Sequence, residues 1–203
     1  MSEEKVSYYE NSSEIEKKLW SLLTEAVKDR GSEFRTPIFI CGNDTDIDGR
    51  VVVLRKADQK NNFIQFHSDI RSSKIEKIKK NPNCSILFYG KKEKIQLRLK
   101  TECEVNFNNE ITKESWKKTG HVSRKCYLVT NGPGTVSEKP TSGLNGKFDN
   151  FDFTKEESEE GYKNFSVIKC KIKSIEWLYL AAKGHRRALI NFKGSKKFTW
   201  LVP

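Results

Sequence analysis

"RVVVLRKADQKNNFIQFHS", residues 50–68, decides the fold. The first nine residues are apolar at their centre and charged at their ends. "QKNN" has the composition of a turn, and "FIQFHS" brings the chain back as a second aromatic, β-branched run. Two such runs around a short Asn-rich turn predict an antiparallel hairpin. Just downstream, "SSKIEKIKKNP" (72–82) predicts a short helix with Ile75 and Ile78 inward and Asn81-Pro82 as its stop. His67, Ser68, Arg71, Ser72, Ser73 and Lys74 therefore crowd the point where a strand ends and a helix begins. Hydroxyls, cations and free helix N–H groups together suit an anion. A bland alternative stands beside this: ordinary strand-end charges and a Ser cap. Arg50 and Arg55 close the two ends of the apolar centre, and spacing alone does not bring them to Ser68.

Upstream, "NSSEIEKKLWSLLTEAVKDRG" predicts an amphipathic helix over about 11–30, capped by Ser12 or Ser13 and ended by Gly31. "TPIFICG" (36–42) predicts a strand and "NDTDIDG" a turn. Downstream, "CSILFYG" (84–90) and "IQLRLKTECEVNF" (95–107) predict a second hairpin across "KKEK". "TKESWKKT" (112–119) and "SRKCYLV" (123–129) predict helices, and about 131–162 predicts a long polar loop. "FSVIKCKIKSIEWLYLA" (165–181), "RRALINF" (186–192) and "FTWLVP" (198–203) predict strands. Strands and helices do not alternate, so a parallel α/β fold is excluded. The expectation is a mainly β domain over 1–203: a six- to seven-stranded antiparallel barrel with peripheral α-helices.

The bulk composition restricts the function. In 203 residues, 35% are hydrophobic and 32% charged, with a formal net charge of +11. That charge invites an anionic partner: nucleic acid, an acidic membrane face or a phosphorylated small molecule. Five cysteines without a CxxC pair fit a reducing cytosol, and Cys41, Cys84 and Cys170 lie in apolar runs as core residues. No His/Cys/Asp cluster has metal-ligand spacing. The N-terminus has no apolar signal region and no run reaches membrane-spanning length, so the expected compartment is the cytoplasm.

The order of short motifs resembles the pyridoxamine 5′-phosphate oxidase superfamily, the FMN-binding split barrels. The elements are "RVVVLR" (50–55), "FHS" (66–68), "SSK" (72–74), "NP" (81–82), "ILF" (86–88) and "IQLRL" (95–99). At the other end, "EWLYLAAKGHRRALINF" sets Trp177 ten residues before Arg187, and "FTWLVP" resembles the family's closing strand. The resemblance implies a split β-barrel and FMN as cofactor. It implies that Arg50 and Lys74 hold the FMN phosphate with Ser68 and Ser73, His67 being nearby. The backbone of Val51, Val52, Val53 and Leu54 would line the flavin edge, with Arg55 in place of the family's Lys and Gln96 offering an amide. Trp177 and Arg187 would come from the second subunit of a homodimer whose sites lie at the interface.

The chain also departs from the oxidase pattern. Trp116 stands near the oxidase's Tyr, Gly120 falls where its Arg belongs, and Arg124 falls near its Ser. "NGPGT" (131–135) replaces a Gln-Ser pair, and Lys183 and His185 replace Arg-x-His. Loss of bidentate Arg contacts is costly to phosphate recognition. Trp116, Arg124, Lys183 and His185 remain the candidates for substrate contact. The resemblance therefore implies an FMN-dependent oxidoreductase of open substrate. A true pyridoxamine 5′-phosphate oxidase and a non-catalytic FMN carrier are the alternatives. A nucleic-acid-binding β-barrel, disfavoured because no such motif occurs, is the reading from another class.

Overall fold

The computed structural model describes residues 8–43, 45–150 and 152–203. Nine strands form one antiparallel sheet: β1 (Ile38–Gly42), β2 (Ile47–Val51), β3 (Leu54–Asp58), β4 (Phe63–Asp69), β5 (Asn83–Gly90), β6 (Ile95–Phe107), β7 (Phe165–Tyr179), β8 (Arg186–Asn191) and β9 (Lys197–Leu201). The main path runs β2-β1-β5-β6-β7-β4-β3. Long β7 carries β4 on its first half and β8 on its second, and β9 extends β8.

The ladder is not closed by hydrogen bonds. Its edges, β2 and β3, are joined through Val52 and Val53 alone, so their ends lie within about 11 Å of each other. The path must curl round, and that is the split of the split barrel. Residues 50–58 are thus two strands, where the sequence predicts one. Ile47–Gly49, predicted as turn, already pair with β1. The count exceeds six or seven for these reasons and because the two C-terminal strands lie off the main path.

Alternation fills the barrel. Phe39, Ile86, Phe88, Leu97, Leu99, Ile175, Trp177, Ala188 and Ile190 form one apolar interior with Ile15, Leu19, Trp20 and Leu23 of α1 (Ser12–Lys28). Helix α1 begins on Asn11, not on Ser12 or Ser13: the Asn11 carboxamide accepts from the Ser13 and Glu14 N–H groups at 2.9 and 3.1 Å. It ends at an extended Asp29 and needs no left-handed glycine. α2 (Ser73–Lys80) closes on Asn81 as expected.

α3 (Glu110–Lys118) is followed by the single turn α4 (His121–Arg124) and a 3-10 turn over Lys125–Tyr127. The predicted loop 131–162 contains α5 (Gly146–Asp149), α6 (Lys155–Ser158) and the start of a 3-10 stretch, Glu159–Asn164. Capping boxes rather than apolar periodicity start α3 and α6, which hides α6 from a hydrophobic reading. A second apolar cluster of Trp116, Tyr127, Phe165 and Val167 fastens these pieces to the outer side of β7.

Candidate functional site

The strand end and helix start do converge with Arg50. Lys74 Nζ donates to Ser68 Oγ and to Ser72 Oγ, both at 2.8 Å. The Arg50 guanidinium lies 3.5 Å from Ser72 Oγ and 3.5 Å from Ser73 Oγ, and it pairs with Asp48. Ser72 occupies the N-cap position of α2, yet its hydroxyl caps nothing because both cations use it. Arg50 Nε is buried without a partner. Burial and the nearby Arg50 push the Lys74 ammonium down to about 8. Arg50 already holds the Asp48 carboxylate, but among the described residues Lys74 has only serine hydroxyls for partners. Beside three hydroxyls and an uncapped helix start, Lys74 lacks a strong acceptor of the kind a phosphate dianion supplies. Ser72, 3% exposed, is the contributor that the motif reading underrated. Arg71 serves the scaffold: it grips Asp69 at 2.7 and 3.0 Å and the carbonyls of Val129 and Thr130 at 3.1 and 3.0 Å.

The sign of the Lys74 shift gives a test. Its folded pKa lies below the ordinary 10.5, so the unliganded protein gains stability as pH rises from about 8 to 10.5. Anion binding needs the charged form. Affinity for a phosphate monoester is expected to fall by up to about tenfold per pH unit above pH 8, read by titration between pH 7.5 and 9.5.

Strand alternation turns His67, the neighbour of Ser68, to the opposite face of β4. There it lines a cleft of about 570 Å³ with Arg55, Gln65, Ser115, Thr119 and Gly120, between β3, β4 and the α3–α4 corner. A β-bulge between Leu54 and Lys56 sets Arg55 opposite no single residue of β4, so Arg55 and Lys56 both reach the cleft instead of alternating. Arg55 Nε and His67 Nδ1 are buried without partners. Burial first, then the Arg55 charge, holds His67 down to about 3, so it is a neutral imidazole at working pH. The unfolded chain takes up a proton there near pH 6.5 and the folded one does not. Stability from this residue is therefore lost as pH falls from about 6.5 towards 3. Urea unfolding of His67→Phe is expected to show a smaller drop in stability between pH 7 and pH 5 than wild type.

Between the two places runs Val51–Leu54. Val51 is 64% exposed, Val53 half-buried, and Val52 and Leu54 are buried. The remaining candidates lie elsewhere. Gln96 and Arg187 share a row on the outer sheet face, on either side of Leu178. Arg187 pairs with Glu176 at 2.9 Å, and Glu176 also holds Arg98 at 2.5 Å. Trp177 points to the opposite face and is 1% exposed within the core.

The structure does not bring Trp116 and Arg124 to the cleft as free groups. Arg124, 2% exposed, stacks 4.5 Å over the Trp116 ring, donates to the Thr119 and Trp116 carbonyls at 3.0 and 2.9 Å and pairs with Glu159. The Trp116 indole donates to Glu159 at 2.6 Å. Both are occupied in holding α3 to residues 155–164. Lys183 and His185 stand in an exposed turn, where His185 Nδ1 accepts from the Ala181 N–H at 3.1 Å. Cys41, Cys84, Cys103 and Cys170 are buried and Cys126 is exposed. Among the described residues there is no cluster able to hold a metal, and no helix is long and apolar enough to cross a membrane.

The fold is an open antiparallel split barrel with a cluster of cations and hydroxyls at the β4–α2 junction, and comparison shows what it is similar to. Residues 19–106 match the family described as pyridoxamine 5′-phosphate oxidase, FMN-binding domain. A pyridoxamine 5′-phosphate oxidase-related, FMN-binding protein from Nostoc punctiforme PCC 73102 superposes with a TM-score of 0.73 at 16% identity, over 92% of this chain and 96% of its own. PhzG from Burkholderia lata 383, solved with tetrahydrophenazine-1-carboxylic acid, gives 0.72 at 14% identity, over 96% of each chain. No curated protein sequence matches. By sequence over 19–106 and by fold over nearly its whole length, the chain resembles the pyridoxamine 5′-phosphate oxidase-related FMN-binding family.

Proposed function

We propose that residues 1–203 form one FMN-binding domain of a homodimeric, flavin-dependent oxidoreductase. The observation that carries this reading is the Arg50–Lys74 pocket: two cations share the Ser72 hydroxyl, and Asp48 pairs with Arg50 while no carboxylate among the described residues pairs with Lys74. Arg50, Lys74, Ser68, Ser72 and Ser73 hold the phosphate. Val51–Leu54 lines the flavin, with Arg50 at one end in the pocket and Arg55 just past the other in the cleft. When bound, FMN supplies the transfer of electrons or hydride; the protein positions it and sets its electrostatics. Arg55 and neutral His67 face the reacting side and present one charged and one uncharged group to the substrate. No acid–base role falls to Trp116 or Arg124, which the scaffold already occupies.

The dimer reading rests on the outer sheet face. Val51, Ile38, Leu87, Arg98, Glu176 and Leu189 align across six strands, and Ile38 (40%), Val51 (64%) and Tyr89 (49%) are exposed. An apolar row around one ion-paired centre suits a twofold contact. The same face carries Gln96 and Arg187, so a second copy brings both towards the first copy's Val51. Trp177 stays in its own core and serves as backing for that strand. The strict vitamin B6 oxidase is the weaker version, since Gly120 offers the cleft no side chain.

The test is an absorption spectrum of protein mixed with FMN and desalted, with sedimentation of the same sample. Retained flavin at one per chain in a dimer is expected. A desalted protein without flavin bands would remove the cofactor reading, and a flavin-loaded monomer would remove the shared site.

A further inference from the structure

Lys56 on β3 and Lys169 on β7 share one aromatic ring. Their Nζ atoms lie 4.9 and 4.7 Å from the Phe63 ring centroid, so no more than the sum of those distances separates them. Register explains it: Lys56 and Lys169 both pair with Gln65, one from each side. Like charges two strands apart on one face repel. Asp58 stands 3.8 Å from Lys56, but its carboxylate also accepts from the Asn61 N–H and side-chain amide. Arg30 and Lys118 bring two more cations to the rim of the cleft, and Arg55 stands between β3 and the α3–α4 corner with Nε unpartnered. Against these five cations the lining holds one acid, Glu114.

A single phosphate or carboxylate on Arg55 leaves the Lys56–Lys169 row uncompensated. We propose that the cleft takes an elongated small molecule with at least two anionic groups, one held by Arg55 and another by the Lys56–Lys169 row. This rests on reading the cleft as the substrate side of the flavin site, and it names the substrate class. Carboxylates and phosphates share the required chemistry. The fold itself provides the spacing, because the bulge at Arg55 turns it to the same face as Lys56.

The probes are benzoate, benzene-1,3,5-tricarboxylate and inorganic tripolyphosphate, titrated by calorimetry at low salt. The tricarboxylate or tripolyphosphate is expected to bind at least about tenfold more tightly than benzoate, and the tighter of the two identifies the anion. The double variant Lys56→Gln, Lys169→Gln is expected to lose that advantage, with benzoate affinity within about twofold of wild type. The salt dependence of polyanion binding should flatten in the same variant. Flavin content of the variant is measured alongside and stays at the wild-type level. Equal affinities for benzoate and the polyanions, or an unchanged tricarboxylate affinity in the variant, would overturn the proposal. Tight binding of a single-stranded oligonucleotide that the variant does not weaken would overturn it too. The titration needs no turnover, so a protein that retains no flavin fails the cofactor reading while the cleft is still tested.

Discussion

Arg50→Ala combined with Lys74→Ala yields a folded protein that comes off a desalting column free of FMN. Each side chain offers charge-assisted hydrogen bonds to a phosphate, and each such bond contributes about 1.5–3 kcal/mol. Loss of both is expected to weaken flavin binding by at least about a hundredfold. Folding is not the victim. Arg50 and Lys74 stand near each other and share the Ser72 hydroxyl, and Lys74 already carries a desolvation penalty that shows as its depressed pKa. Thermal stability without flavin is therefore expected to hold or rise slightly in Lys74→Ala. Circular dichroism and flavin content on the same preparation check both halves. Wild-type flavin content in the double variant would show that the phosphate sits elsewhere.

The second large effect falls on Arg124→Ala. Its guanidinium binds two main-chain carbonyls, stacks on Trp116 and meets Glu159, all at 2% exposure. The ion pair itself counts for little, since the Glu159 side chain is 52% exposed and well screened. The cost comes from the lost bonds to the Thr119 and Trp116 carbonyls, of which the second keeps the Thr119 N–H, and from the space left beside the indole. About 3 kcal/mol is expected, which lowers the melting temperature by roughly 10 °C. Arg124→Lys should recover little, because an ammonium cannot both stack and fork. A melting point within two or three degrees of wild type, for a chain of this size about 1 kcal/mol, would contradict this role.

Much of this was legible from the chain. The hairpin at 54–69, helix α2, the β5–β6 pair and the polar junction at 67–74 announce themselves through local periodicity and turn chemistry. The clustering of Ser68, Ser72, Ser73 and Lys74 was legible for the same reason, since they lie within seven residues; that Arg50 joins them was not. What stayed hidden depends on distant pairing. The break at Val52–Val53 looks like continuous strand because both flanks are apolar. Lys169 joins the cleft only through its register with Gln65, and nothing local in "VIKCKIK" says so. The bulge that re-aims Arg55 leaves no mark in composition. Trp116 and Arg124 drew notice by position in a resembled pattern, yet their partner Glu159 comes from a stretch without apolar periodicity.

The central ladder sets how fast this chain can fold. β6 and β7 pair from Ile95↔Tyr179 to Phe107↔Ser166, with residues 108–164 strung between them. Closing that intervening stretch costs chain entropy before any rung of the central pair forms. Edge strands β2 and β3, adjacent in sequence, meet as edges only when every strand between them is in place. Refolding from urea should accordingly be slow, in the range of milliseconds to seconds. The early species would carry unpaired edges at β5 and β6, so dilution at low protein concentration should raise the refolded yield.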